Sequence, residues 1–144
     1  MKLAIEQATG PDLAEIAEWR YESPYDFYDG DQEPVLNPER FFTARDEGGE
    51  IVGFYYFEPR GGALYYGLGL RPDLTGRGLG LEFVRIGLEY GRDLVRARRA
   101  CLSVAAFNDR ARIVYEHAGF VVTGRHMRSF PKWGDVEFLD MEET

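Results

Sequence analysis

The spacing of apolar residues changes period several times along the chain, and each change predicts a new element. LAIEQ near the start alternates as a short, half-buried strand does. Thr9 then precedes Pro11 and Asp12, and Leu13, Ile16 and Ala17 fall on one helical face. A capping hydroxyl, a proline in the first turn and an acid at the positive end predict a helix from Pro11. WRYESPYDFYDGDQEPVLNP carries aromatics, acids and turn formers without a period, and reads as a loop with room for a short helix. FFTARDEGGEIVGFYYFE sets two β-type runs around Glu47-Gly48-Gly49, which predicts an antiparallel hairpin.

ALYYGLGLRP is a further strand, ended by Pro72; Gly67 and Gly69 inside it imply a bulge or the close approach of another molecule. From Leu79 the apolar residues Leu79, Phe83, Ile86, Tyr90 and Leu94 step by three or four and predict the longest helix, with Gly87 beside the stripe for close packing. ACLSVAAF has the length and apolarity of a strand in the middle of a sheet. Asn108 caps a helix with the inward stripe Ala111, Val114, Tyr115 and Ala118, stopped by Gly119. FVVTGRHMRSF and DVEFLDM add two strands, so the order β-α-β-β-β-α-β-α-β-β predicts a mixed sheet with helices on its faces.

With 144 residues and no repeat or flexible linker, residues 1–144 form a single domain in this reading. No apolar run approaches the roughly 18 residues that cross a bilayer, so a cytoplasmic protein without a membrane partner is expected. The lone Cys101 has no disulfide partner and reads as an inert thiol; His117 and His126 lack neighbours at ligand spacing, so no metal is expected. Net charge is −8, which argues against nucleic acid as a partner. The charge is uneven: residues 1–70 carry −9 and residues 71–144 carry +1, so cations gather around the second half. That is where the glycines of LRPDLTGRGLG lie.

A strand that turns through Gly76, Gly78 and Gly80 into a helix aims main-chain N–H groups at an anion, most naturally a phosphate. The sequence fits neither a Walker loop, because Leu81 and Glu82 follow Gly80, nor the dinucleotide pattern G-x-G-x-x-G. It resembles the acetyl-CoA loop of the GCN5-related N-acetyltransferase (GNAT) superfamily, Gln/Arg-x-x-Gly-x-Gly/Ala, over Thr75 to Gly80, with Thr75 replacing the long first residue and Arg77 available to supply charge. NDRARIVYEHAGF is similar to the superfamily's second segment through Asn108, Ala111, Tyr115, Gly119 and Phe120. Together the two cover about residues 50–122, the expected cofactor core.

The resemblance implies an α/β (α+β) fold: a mixed, mostly antiparallel sheet of about six or seven strands, splayed into a V between two parallel strands and flanked by about three or four helices. It implies acetyl-CoA as donor, bound along Leu68 and Leu70 and by Thr75, Gly76, Arg77, Gly78, Leu79 and Gly80. Asn108 caps its helix and adds a cofactor contact. The acceptor is a primary amine attacking the thioester directly in a ternary complex, with an oxyanion donor among the N–H groups of Leu68 to Leu70. Tyr115 is either core filling or the acid that protonates the leaving sulfur, and the flanking motif favours the acid. Acetyltransferases of ribosomal-protein N-termini carry a glutamate where this chain has Ser103; Glu58 and His126 are the replacements by position.

Glu22, Asp26, Asp29, Asp31 and Glu33, interleaved with Tyr25, Phe27 and Tyr28, suit a cationic small amine, a polyamine or a peptide amine. The same residues are equally compatible with a solvated loop whose aromatics pack on the core. A homodimer through the terminal strands is a habit of the superfamily. The contrasting function is a non-catalytic acyl-CoA-binding module that holds a partner with this acidic loop.

Overall fold

A computed structural model describes residues 1–29 and 37–144. Its elements follow the expected order: β1 (Ala4–Gln7), α1 (Gly10–Ala17), β2 (Phe41–Arg45), β3 (Ile51–Arg60), β4 (Ala63–Leu70), α2 (Gly80–Val95), β5 (Ala100–Ala105), α3 (Asp109–His117), β6 (Phe120–Phe130) and β7 (Gly134–Glu143). Short 3₁₀ turns occupy Tyr25–Tyr28, Pro38–Arg40 and Pro72–Leu74. The strands form one seven-stranded sheet in the order β1-β2-β3-β4-β5-β7-β6. Among the described residues β4 and β5 are the one parallel pair. This is the mixed, mostly antiparallel sheet the superfamily resemblance implies, with β5 at its interior.

Local chemistry explains the starts and stops. At α1 a complete capping box forms, Thr9 Oγ1 accepting from the Asp12 N–H and Asp12 Oδ2 from the Thr9 N–H. Arg45 of β2 pairs with Asp12 Oδ1 at 2.6 Å and ties the helix to the sheet. The second helix packs more tightly than its apolar count suggests. Its buried residues are Phe83, Val84, Gly87, Leu88 and Gly91, while Leu94, expected on the inner stripe, is 47% exposed. The glycines set that rotation: a Cβ on Gly87 would stand 2.2 Å from the Tyr55 ring and from the Tyr66 hydroxyl, and one on Gly91 2.6 Å from Phe57.

The pleat gives the sheet two different faces. Tyr55, Phe57, Leu64, Tyr66, Leu102 and Val104 point toward α2 and α3 and form the main core. Cys101, Ser103 and Ala105 point the other way, where Ala105 joins Phe27, Phe130 and Phe138 in a smaller aromatic cluster. Of the two readings of Gly67 and Gly69, the bulge is overturned: the β3–β4 register runs unbroken from Gly53–Leu70 to Arg60–Ala63. Gly69 is required because the Phe54 ring lies over it, 2.4 Å from where a Cβ would sit. The irregularities fall at Ala44/Arg45 and Val122/Gly124. Among the described residues no helix is long and apolar enough to cross a membrane.

Candidate active site

The site begins where β4 and β5 part. They share two register positions, Leu64 with Ala100 and Tyr65 with Cys101, and then diverge. Alternation along β4 decides which groups this leaves open. Leu64 N–H reaches across to the Arg99 carbonyl, whereas Arg71 N–H bonds to Val52 of β3. Counting from both, the main-chain groups of Leu68 and Leu70 face the β5 side, beyond the last rung. Tyr21 reaches into this splay from the segment after α1, its hydroxyl donating to the Leu70 carbonyl at 2.6 Å. Burial, helped by the charge on Asp29, pushes its phenol far above the ordinary value.

The chain leaves the splay through the glycine turn. Gly76 and Gly78 adopt φ of 72° and 77°, the left-handed region that glycine enters without penalty. Thr75 holds the turn together, its hydroxyl donating to the Pro72 carbonyl at 2.7 Å. The following helix has no side-chain cap: Leu79 stands at its N-cap, and the first intrahelical bond runs from Phe83 N–H to Leu79 C=O. The N–H groups of the first turn therefore lack side-chain acceptors, which is the arrangement that suits an anion. Gly78 has open space where its Cβ would be and lines a surface depression with Leu81, Glu82, Arg85 and Ile86. Arg77 is exposed beside Asp73.

Arg110, which the sequence reading passed over, joins the turn from the first turn of α3. Its Nη1 comes within 3.7 Å of the position of a Gly76 Cβ, and its guanidinium covers the Tyr25 ring at 4.1 Å. The signal for it was an arginine two residues past the Asn108 cap. Asn108 itself is buried: Oδ1 accepts from Ala111 N–H at 3.1 Å, and Nδ2 donates to the Tyr28 hydroxyl at 3.2 Å. Tyr115 packs against the main core, meeting Phe120 edge-on at 6.1 Å, and no described residue hydrogen-bonds its hydroxyl. Burial pushes this phenol well above its ordinary value, and the neighbouring Tyr28 adds to the shift.

The loop after α1 divides between the two expectations for it. Asp31 and Glu33 lie outside the described residues. Phe27 is buried edge-on against Phe107 and Phe130, and the face of Tyr25 is taken by Arg110, so these two rings pack inward. Tyr28 is 37% exposed. Among the candidate bases, Glu58 is held low by hydrogen bonds from Tyr56 and Arg60, which occupy both its oxygens. Ser103 donates to Asp140 Oδ1 at 3.1 Å, and His126 Nδ1 lies 3.0 Å from the same oxygen. Cys101 is half-buried, and burial raises its thiol, so it is not poised as a nucleophile. Among the described residues no cluster of three or more metal-binding side chains forms.

The splayed strands thus lead into a glycine turn at an uncapped helix, an arrangement that suits an extended ligand ending in an anion. Residues 10–120 match the profile of the Acetyltransferase (GNAT) family, and the chain belongs to that family. It is 41% identical over 102 residues to mycothiol acetyltransferase of Streptomyces coelicolor, covering 67% of this chain and 31% of that protein. With the mycothiol acetyltransferase of Corynebacterium efficiens it shares 41% over 85 residues, 56% of this chain and 28% of the other. The chain thus spans under a third of the length of these relatives. Similar folds include spermidine N-acetyltransferase from Vibrio cholerae in complex with CoA and spermine, at TM-score 0.71, 19% identity and coverage of 97% and 94% of the two chains. A phosphinothricin N-acetyltransferase by description matches at TM-score 0.73 and 17% identity, covering 99% and 98%.

Proposed function

We propose that residues 1–144 form one N-acetyltransferase domain, cytoplasmic, which moves the acetyl group of acetyl-CoA to a primary amine by direct attack in a ternary complex. The observation that carries this is the open strand edge at Leu68 and Leu70 leading straight into the Thr75–Gly80 turn. The splay accepts the pantetheine arm as a substitute strand. The N–H groups from Gly76 to Gly80 hold the pyrophosphate, with Arg77 and Arg110 as its cations. Asn108 shapes this wall through its cap and its bond to Tyr28. Tyr115, kept neutral by burial, gives its proton to the departing sulfur.

The acceptor is a cationic small amine or a peptide amine, approaching from the face that carries Ser103 and Asp140. Relatives named for mycothiol and spermidine support an amine acceptor in general terms. The exposed Val121, Val122 and Met127 on the edge strand β6 support a homodimer. The deciding experiment is CoA release from acetyl-CoA with spermidine, small primary amines and short peptides, beside calorimetry of CoA binding. Release with one class establishes the transferase and its acceptor; CoA binding without release favours a non-catalytic binding module.

A further inference from the structure

On the face opposite α2 and α3, one carboxylate ties three strands together. Asp140 Oδ1 of β7 takes the Ser103 hydroxyl of β5 at 3.1 Å and His126 Nδ1 of β6 at 3.0 Å. Oδ2 lies over the bare Gly124, 3.3 Å from where a Cβ would sit. The His126 ring is stacked on Phe138, centroids 5.5 Å apart and planes 18° apart, which fixes its plane. His126 and Asp140 side chains are 37% and 40% exposed. The network is ordered and yet open to solvent.

Its position matters as much as its geometry. Ser103 is two residues past the last rung of the β4–β5 ladder, on the edge of the splay, as Gly67 is two residues past it on β4. Neither residue blocks the face there with a long side chain. A carboxylate at Nδ1 favours the imidazole with its proton on that nitrogen and leaves Nε2 as an acceptor. An imidazole nitrogen with a free lone pair accepts a proton far better than a serine hydroxyl, and Glu58 is already bonded at both oxygens.

We infer that His126 and Asp140 act as one proton-accepting pair for the acceptor amine, with Ser103 holding the carboxylate at the edge of the splay. This rests on the N-acetyltransferase function proposed above. The bound ammonium gives one proton, through water, to the pair, which returns it to solvent at the exposed imidazole. The freed lone pair forms the C–N bond, the C–S bond breaks, and its electrons leave on sulfur. Tyr115 protonates that sulfur, and the proton shed by nitrogen as the amide forms restores Tyr115. The other charged or titratable groups facing the pair are Cys101 of β5, Glu142 of β7, Arg128 of β6, which covers Phe138, and Glu58 and Arg60 of β3, which with Asp140 and Glu142 surround Cys101.

Asp140→Asn, Asp140→Glu, His126→Gln and wild type are compared for kcat against pH with spermidine and a lysyl peptide, with CoA affinity measured in parallel. Asp140→Asn lowers kcat by about 10- to 100-fold with CoA affinity within about twofold, and Asp140→Glu restores part of the rate. His126→Gln removes the acidic limb of the wild-type profile. Wild-type rates and profiles in both Asp140→Asn and His126→Gln overturn the pair while leaving the transferase intact. If wild type binds CoA but acetylates no amine, the transferase proposal fails and the pair falls with it.

Discussion

The Tyr21 hydroxyl donates to the Leu70 carbonyl across 2.6 Å, although the two residues lie 49 positions apart. A side chain from the segment after α1 thus satisfies the strand edge that the splay exposes. If the pantetheine arm pairs with this edge, it takes over the bond that Tyr21 now makes. Tyr21→Phe is expected to cost about 0.5–1.5 kcal/mol in the free protein, the net worth of one hydrogen bond at a half-buried carbonyl. Thermal unfolding with and without saturating CoA tests this: the deficit shrinks with CoA, and a deficit indifferent to CoA places the arm elsewhere.

Gly78 is open on its Cβ side but sits at φ 77°, so any side chain there meets backbone strain rather than a clash. Asparagine tolerates that region and isolates the effect of charge. Gly78→Asp is expected to weaken CoA binding by at least about tenfold relative to Gly78→Asn, because its carboxylate stands where a phosphate would. Equal affinities of the two variants by calorimetry would remove the pyrophosphate from this turn.

Tyr115→Phe is expected to lower kcat by about 10²-fold or more while leaving CoA affinity nearly unchanged. Because burial raises this phenol above its ordinary pKa of about 10, Tyr115 stays protonated through neutral and mildly alkaline pH. Any loss of rate between pH 7 and pH 9 therefore has another source and persists in the residual activity of Tyr115→Phe. A full wild-type rate in Tyr115→Phe would return this residue to the core.

Burial raises the Asp12 carboxyl, but Thr9's main-chain and side-chain bonds and the Arg45 pair outweigh it and leave the carboxyl below its usual value. Its contribution to stability is present above the unfolded pKa of about 3.9 and is lost as pH falls through the lower folded value. Asp12→Ala should cost about 1–2 kcal/mol at pH 7, the range for a lost helix cap. Urea unfolding of both proteins from pH 7 to pH 2 should show this gap closing below about pH 4.

The order of elements is legible in the sequence because each boundary is written locally: Thr9 and Asn108 in their caps, Gly119 in its positive φ, the Glu47–Gly49 turn between its strands. The cofactor turn is legible for the same reason. The inner stripe of α2 is legible only in part: Gly87 reads as a close-packing position, as the Tyr55 ring demands, but apolar spacing weighs Leu94 and overlooks Gly91, which the Phe57 ring demands. Gly69 answers likewise to a single ring, Phe54. The Ser103–Asp140–His126 network is beyond local reading altogether. It depends on strand order and on an irregular β6–β7 register at Val122/Gly124 that brings residues from three strands onto one carboxylate.

Two rungs between β4 and β5 divide the sheet into a four-stranded and a three-stranded half. The seam is therefore the least hydrogen-bonded line across the domain, and the main core behind it carries most of the load of keeping the halves together. Any ligand seated in the splay adds rungs to that seam and stiffens the sheet as a whole. Occupancy should then be felt far from the reacting atoms, as slower amide exchange in β5, and each product release should return the two halves to a looser union.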